Sequence, residues 1–254
     1  NLKFYFFLSI KYFNYLFISL YRILKIIFKK KIESTQEIKN DINKCEAIFV
    51  SHFLNNKFIN NNQDFYFHQL PNKFANVHNN SLTLKINHSK TDFSILNKKS
   101  KSHNEFVLPK NLSFYEEINI TLSLHKEFVT LLFKRTPKNV NYRIKLQAAI
   151  EFISPASHFN LRIGRQVGSF VKRFKPNYIF TTFEGHGFER TIYSNARKSN
   201  KSIKCVAYQH SLIFNKQHAV KRSLGANYDP DYILTSGYEG KKKLLNTGLV
   251  SKNK

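Results

Sequence analysis

The feature that most restricts the fold of this chain is the rhythm of its last third. Tyr178-Ile-Phe-Thr-Thr-Phe183, Cys205-Val-Ala-Tyr208 and Tyr232-Ile-Leu-Thr235 are short runs of β-formers, each bounded by polar or glycine-containing turns. Helical spacing follows the first run over Phe188 to Lys198, and a helix starts after the third over Lys241 to Asn246. Strand, helix, strand, loop, strand, helix is the order of a parallel α/β sheet, because parallel neighbours need long crossovers, usually helical. The eight glycines all lie at Gly164 or later, so the tight turns concentrate in this region. In open parallel sheets ligands bind outside the carboxyl ends of the strands, which directs attention to the residues just after each run.

Upstream, Glu46-Ala-Ile-Phe-Val-Ser-His52 reads as a first buried strand and Leu82-Thr-Leu-Lys-Ile86 as a second. A helix is predicted over Phe65 to Val77, broken or started by Pro71. Phe114 to Arg135, Tyr142 to Ile153 and His158 to Phe174 have helical spacing, the last two separated at Pro155. Residues 33–45, the Asn-rich segment 55–62 and the Ser/Lys/Asn/His-rich segment 87–104 read as connectors. The organisation expected is a basic amphipathic helix over 1–32, a Rossmann-like domain over 45–236, and the start of a linker or second domain over 237–254. With no Met among its 254 residues, the chain reads as a processed or internal piece of a longer one.

Residues 1–31 carry ten aromatics, seven Lys/Arg and no acidic residue. At 100° per residue, Lys3, Lys11, Arg22, Lys25 and Lys29 fall on one arc of a helix, and Phe6, Phe13, Leu16, Phe17, Leu20, Leu24 and Ile27 occupy other faces. A spanning helix needs about 20 apolar residues. The longest uncharged run here, Tyr12 to Tyr21, falls short of that. The pattern fits a helix lying in an anionic membrane interface, or one that packs on a core with its lysines in water.

Composition adds exclusions. Forty-one Lys+Arg against 16 Asp+Glu give a net charge of +25, but Lys, Asn, Ile and Phe rise together, as an AT-rich genome writes them. The aromatics gather in the first 31 residues and in strands rather than among exposed basic residues, which argues against a nucleic-acid module. Cys45 and Cys205 cannot form a disulfide framework or a four-thiolate zinc site. No His-Glu-x-x-His or His-x-x-x-His occurs, so no metal site is indicated. Gly185-x-Gly187 lacks the third glycine and the downstream acid of a dinucleotide fingerprint. Ser211 is not in a Gly-x-Ser-x-Gly elbow.

The richest constellation is Phe183-Glu-Gly-His-Gly-Phe-Glu-Arg190, between a strand and a helix. Gly185 and Gly187 permit a tight turn that displays Glu184 and His186 at the strand end, and either can act as a general base toward a hydroxyl. Alternatively, Glu184 caps the helix. Glu189 and Arg190 follow in the first helical turns, where Arg190 can meet an anion or stabilise structure. At the next strand end stand Gln209 and His210, which can hydrogen-bond a sugar or position a hydroxyl; Lys221, Arg222 and Gly237 follow.

In order and spacing, Phe183-Glu-Gly-His-Gly-Phe-Glu-Arg190, Tyr208-Gln-His-Ser211, Gln217-His-Ala-Val-Lys-Arg222, Asp229-Pro-Asp-Tyr-Ile-Leu234 and Gly237 resemble bacterial surface-carbohydrate biosynthesis proteins, glycosyltransferases of the GT-B architecture. Ile48-Phe-Val-Ser-His52 looks like that family's opening strand. The resemblance implies the amino-terminal, acceptor-binding half of a GT-B fold, with the nucleotide-sugar half absent and no turnover by this piece alone. It implies Glu184 or His186 as base, Gln209 and His210 positioning acceptor or donor phosphates, and Lys221 and Arg222 steering a diphosphate-linked acceptor. It implies no catalytic metal or cofactor beyond the nucleotide-sugar substrate, a lipid-linked or polysaccharide acceptor, and a peripheral place at the inner face of the cell membrane. A polyol-phosphate or Kdo-type transferase on the same fold, or a basic nucleic-acid- or membrane-binding module without catalysis, is the alternative.

Overall fold

The computed structural model describes residues 2–28, 45–55, 64–78, 80–89, 91, 104–135, 141–214 and 217–245. The connector before Cys45, most of the Asn-rich segment and most of 87–104 lie outside the described residues, as do the side chains of Lys3 and Lys29. The chain divides into two compact units, residues 1–34 with 111–162, and residues 35–110 with 163–254. The helices of 111–162, expected within the sheet domain, thus group with the first helix instead.

The first unit is helical. It contains α1 (Leu2–Phe28), α3 (Phe114–Phe133), α4 (Tyr142–Phe152) and the opening of α5 (Pro155–Phe174). Its core joins Leu8 and Tyr15 of α1 to Ile120, Leu124 and Phe128 of α3 and to Ala149 and Ile153. The Tyr15 hydroxyl donates to the Thr121 carbonyl at 2.8 Å, so its polar end is satisfied inside the core. Glu116 reaches back to accept from the Ser113 N–H and Oγ at 3.2 and 2.6 Å, fixing the start of α3. Glu117 is buried, accepts from the Leu112 N–H at 2.8 Å, and faces His158 Nε2 at 2.9 Å. Burial alone would raise its carboxyl, but those bonds and the nearby Arg162 hold it below its ordinary value.

The second unit is an α/β domain with a Rossmann-like sheet. Strands β1 (Ala47–Phe53), β2 (Ser81–Asn87), β3 (Glu105–Val107), β4 (Tyr178–Thr182), β5 (Lys204–Gln209) and β6 (Tyr232–Thr235) form one sheet in the order 3-2-1-4-5-6. Every neighbouring pair is parallel. Helices α2 (Leu70–His78), α6 (Gly187–Ser199) and α7 (Tyr238–Leu245) and a 3-10 turn at Ala219–Lys221 complete the unit with residues 163–174 of α5. The central strand β1 is buried almost end to end, which is why it reads as an unbroken apolar run. Phe49 stacks on Phe180 across the β1–β4 pair at 4.5 Å, and Phe67 and Phe74 close on it edge-on at 5.4 and 5.9 Å. Gly164 lets α5 meet α6 closely: a Cβ there would stand 2.8 Å from Asn195 Nδ2 and 3.0 Å from the Thr191 carbonyl oxygen.

Three elements differ from the sequence expectation for identifiable reasons. Helix α2 starts at Leu70 rather than Phe65, because Asp64 Oδ1 accepts from Ser51 Oγ and from the Tyr66 and Phe67 N–H groups at 2.7 to 2.9 Å and folds that stretch into a turn. Pro71 then sits in the first helical turn, where its missing N–H has no partner to lose. Strand β3 is only three residues long and was absent from the sequence reading; an ion pair from Lys85 to Glu105 at 2.8 Å ties it to β2. Helix α7 begins at Tyr238 and buries Leu244, and Lys243 Nζ donates to the Ile213 carbonyl at 2.9 Å. Residues 237–245, expected to open a linker, therefore belong to the sheet unit.

The aromatic stack under β1 and β4 should dominate the stability of this unit. Phe49→Ala is expected to lower the unfolding free energy by about 3–5 kcal/mol, read by urea denaturation.

Candidate active site

The order 3-2-1-4-5-6 reverses direction between β1 and β4, so the chain leaves the carboxyl ends of these two neighbours toward opposite sides. In open α/β sheets such a reversal marks the usual position of a ligand crevice. Four segments deliver polar side chains there: His52 from β1, His88 just after β2, Thr182 at the end of β4 with Glu184 just after it, and His210 just after β5.

The turn after β4 is built by residues that do not face the crevice. Glu189 is fully buried, and its carboxylate accepts from the N–H groups of Glu184, Gly185 and His186 at 2.8 to 2.9 Å. Burial pushes this carboxyl up to about 8, against the pull of those three donors. Gly185 adopts φ +89°, and a Cβ there would stand 2.5 Å from that of Ala219. Two independent constraints therefore require glycine at this position. Gly187 instead opens α6, and Gly237 has open space around it; neither has a positive φ. Gly225, which the sequence reading did not single out, has φ +91°.

Arg190 is also buried. Its guanidinium meets Asp229 Oδ1 at 2.7 Å, donates to the Arg222 carbonyl at 3.0 Å, and lies 4.9 Å over the Phe183 ring. Asp229 in turn accepts from Ser223 Oγ and the Leu224 N–H. Of the sequence candidates, Glu189 and Arg190 thus hold the turn and the 219–229 loop rather than lining the crevice. Glu184 does not cap α6; His186 occupies the cap position and Glu189 the third helical one. Lys221 and Arg222 follow the segment that packs on Gly185.

What the turn displays is a carboxylate between two imidazoles. Glu184 Oε2 meets His186 Nε2 at 3.2 Å, and Glu184 Oε1 meets His210 Nε2 at 3.1 Å. An ionised carboxylate only accepts, so each ring donates its Nε2–H. The Nδ1 atom of His210 is buried with no hydrogen-bond partner, which disfavours a proton there and supports the same tautomer. Burial lowers the His210 pKa, against the opposing pull of Glu184. His186 is the most exposed of the three, with 54% of its side chain accessible, and stacks on Phe188 at 5.4 Å. Gln209 is fully buried behind them; its Nε2 donates to the Ser211 carbonyl at 2.9 Å. Gln217 Nε2 donates to the Glu184 carbonyl at 3.1 Å, tying the loop after β5 to the turn after β4.

The structure adds residues that sequence reasoning missed as site candidates. His52 Nδ1 lies 2.8 Å from His88 Nε2, and His52 Nε2 lies 3.2 Å from Thr182 Oγ1. Burial, followed by the nearby His88, His186 and His210, lowers the His52 pKa to about 3, so its ring is neutral. The Tyr66 ring packs 4.8 Å from that of His210 and 5.0 Å from that of His52, and burial raises its phenol. A signal was present: His52, His88 and His210 stand at or just beyond the carboxyl ends of β1, β2 and β5, and the parallel order makes those ends converge.

Among the described residues no group of three His, Cys, Asp or Glu side chains is placed to hold a metal ion. Both cysteines are buried, and burial pushes their thiols up to about 12. No family model, curated protein or solved structure matches the chain.

The half-buried His52 ring has a consequence for stability. Between about pH 6.5 and 3 the unfolded chain protonates this histidine and the folded chain does not, so stability falls as pH falls through that window. The slope from one such group is about 1.4 kcal/mol per pH unit. His52→Gln is expected to flatten the loss of unfolding free energy between pH 7 and pH 5 by about 2 kcal/mol relative to the unsubstituted chain, measured by urea denaturation. Equal losses in the two proteins would show that His52 titrates normally.

Proposed function

We propose that the chain binds the acceptor in a GT-B-type glycosyltransferase of bacterial surface-polysaccharide synthesis, which moves a sugar from a nucleotide-sugar donor to a glycan acceptor, lipid-linked or not. The observation that carries this reading is the Glu184 carboxylate bonded to both His186 and His210 at the reversal point of the sheet. Sugar transfer to a hydroxyl needs a base at the hydroxyl and donors for the developing charge on the leaving phosphate, and an imidazole–carboxylate pair supplies the first. The Rossmann-like sheet and the ordered motifs after β4, β5 and β6 agree with it.

In this mechanism the exposed His186 meets the acceptor hydroxyl and takes its proton as the oxygen attacks the anomeric carbon and the donor's phosphate leaves. Glu184 orients the ring and stabilises the imidazolium that forms. His210 holds Glu184 from the other side and fixes the carboxylate plane. His52, neutral and bonded toward Thr182, keeps the floor of the crevice free of positive charge. Glu189 and Arg190 act through the shape of the turn.

The test is a panel of nucleotide sugars and saccharide acceptors offered to a longer protein that joins this chain to a donor-binding half, with every substitution made in that protein and activity read as acceptor-dependent nucleotide release. Glu184→Gln is expected to lower kcat by about 10²–10⁴-fold, with KM for the donor little changed. Release of CMP with transfer of a polyol phosphate or Kdo would assign the same site to the alternative donor class. Turnover that survives Glu184→Gln and His186→Ala at a near-normal rate would refute the assignment of the base.

A further inference from the structure

Helix α1 has two apolar faces, and the first unit uses one. Leu8, Tyr15, Ser19 and Ile26 are buried. Phe6, Ile10, Phe13, Phe17, Leu20 and Leu24 are exposed, Phe6, Phe13 and Phe17 by 68–71%. Their spacing alternates four and three, so they form one stripe along the helix, which is about 40 Å long. Phe7, Leu16 and Tyr21 are exposed beside it and widen it. An apolar strip of this size is unusual on a free protein surface.

The breadth and the charge indicate what covers it. A two-helix seam is narrow and flanked by charged side chains that pair across it. Here the flanking positions are themselves aromatic or aliphatic. No acidic residue occurs in the first 31, while Lys11 and Lys25 are exposed at the edge. Lys11 Nζ lies over the Phe7 ring at 5.4 Å, at the boundary between apolar stripe and basic flank. On that flank opens a pocket of about 130 Å³ lined in part by Lys11, Asn14, Arg22, Glu151 and Ser154. Glu151 there already accepts from Gln147 Nε2 at 3.0 Å. Among the described residues no helix is long and apolar enough to cross a membrane.

We infer that α1 lies in the interface of an anionic phospholipid bilayer, with acyl chains against the Phe6–Leu24 stripe and lipid phosphates against Lys11 and Lys25. A basic flank beside a broad apolar face is the arrangement that binds such surfaces without spanning them. The inference is independent of the chemistry assigned to the sheet.

The experiment is cosedimentation of the whole chain with vesicles of phosphatidylcholine mixed with phosphatidylglycerol, and with vesicles of phosphatidylcholine alone. Binding to the anionic vesicles is expected to weaken as salt rises. The double variant Phe13→Glu/Phe17→Glu is expected to lower partitioning on the order of a hundredfold. Lys11→Glu/Lys25→Glu is expected to remove the preference for phosphatidylglycerol, each original lysine contributing about fivefold. None of these four side chains is buried, so an unchanged urea midpoint separates lost binding from lost folding. A chain that stays in solution with anionic vesicles overturns the inference. So does a concentration-dependent dimer that Phe13→Glu/Phe17→Glu dissociates, which would make a second copy the occupant.

Discussion

The parallel pairing of β1 with β4 is the interaction on which the sheet unit depends. Ala47 to Val50 lie opposite Tyr178 to Thr181, although about 130 residues separate them in the chain. Apolar stacking of Phe49 on Phe180 supports the pairing across the two strands. Once it forms, β2 and β3 extend the sheet on one side and β5 and β6 on the other. The crevice is a geometric result of that divergence. The same pairing brings His52 within reach of Thr182, so fold and site share one contact.

A division of labour follows along the segment Glu184 to Arg190. Glu189 and Arg190 are buried and have their polar atoms engaged by backbone and by Asp229. Glu184 and His186 keep solvent access and bond side chain to side chain. Polar groups that build a turn must be satisfied where they stand, because burying an unpaired polar group is costly. Groups that act on a ligand must keep an accessible polar edge. Gly185 joins the two sets, since its left-handed backbone both exposes Glu184 and clears Ala219.

The parallel sheet was legible in the sequence because β1, β4 and β5 are buried on both faces and so appear as unbroken apolar runs. Glu184, His186 and His210 were legible because they follow such runs directly, and the structure brings them together. The roles of Glu189 and Arg190 were not legible: a charged residue in a first helical turn has the same sequence signature whether it binds a ligand or caps the backbone. His52 and His88 were overlooked because their proximity arises from strand order, which spacing along the chain does not encode. Strand β3 escaped because its three residues are too few to show a period. The grouping of 111–162 with α1 also depends on contacts distant in sequence, from Leu8 and Tyr15 to the α3 core.

Glu184 joins two imidazoles through their Nε2–H groups, and the rest of the site is arranged around that junction. Nitrogen-15 spectra of the imidazole rings, recorded at neutral pH on the unsubstituted chain and on Glu184→Gln, test it most directly. A neutral His210 ring in the Nε2–H tautomer is expected, with resonances of both His210 and His186 shifting strongly when the carboxylate is replaced. An Nδ1–H tautomer at His210, or two rings indifferent to the loss of Glu184, would contradict it.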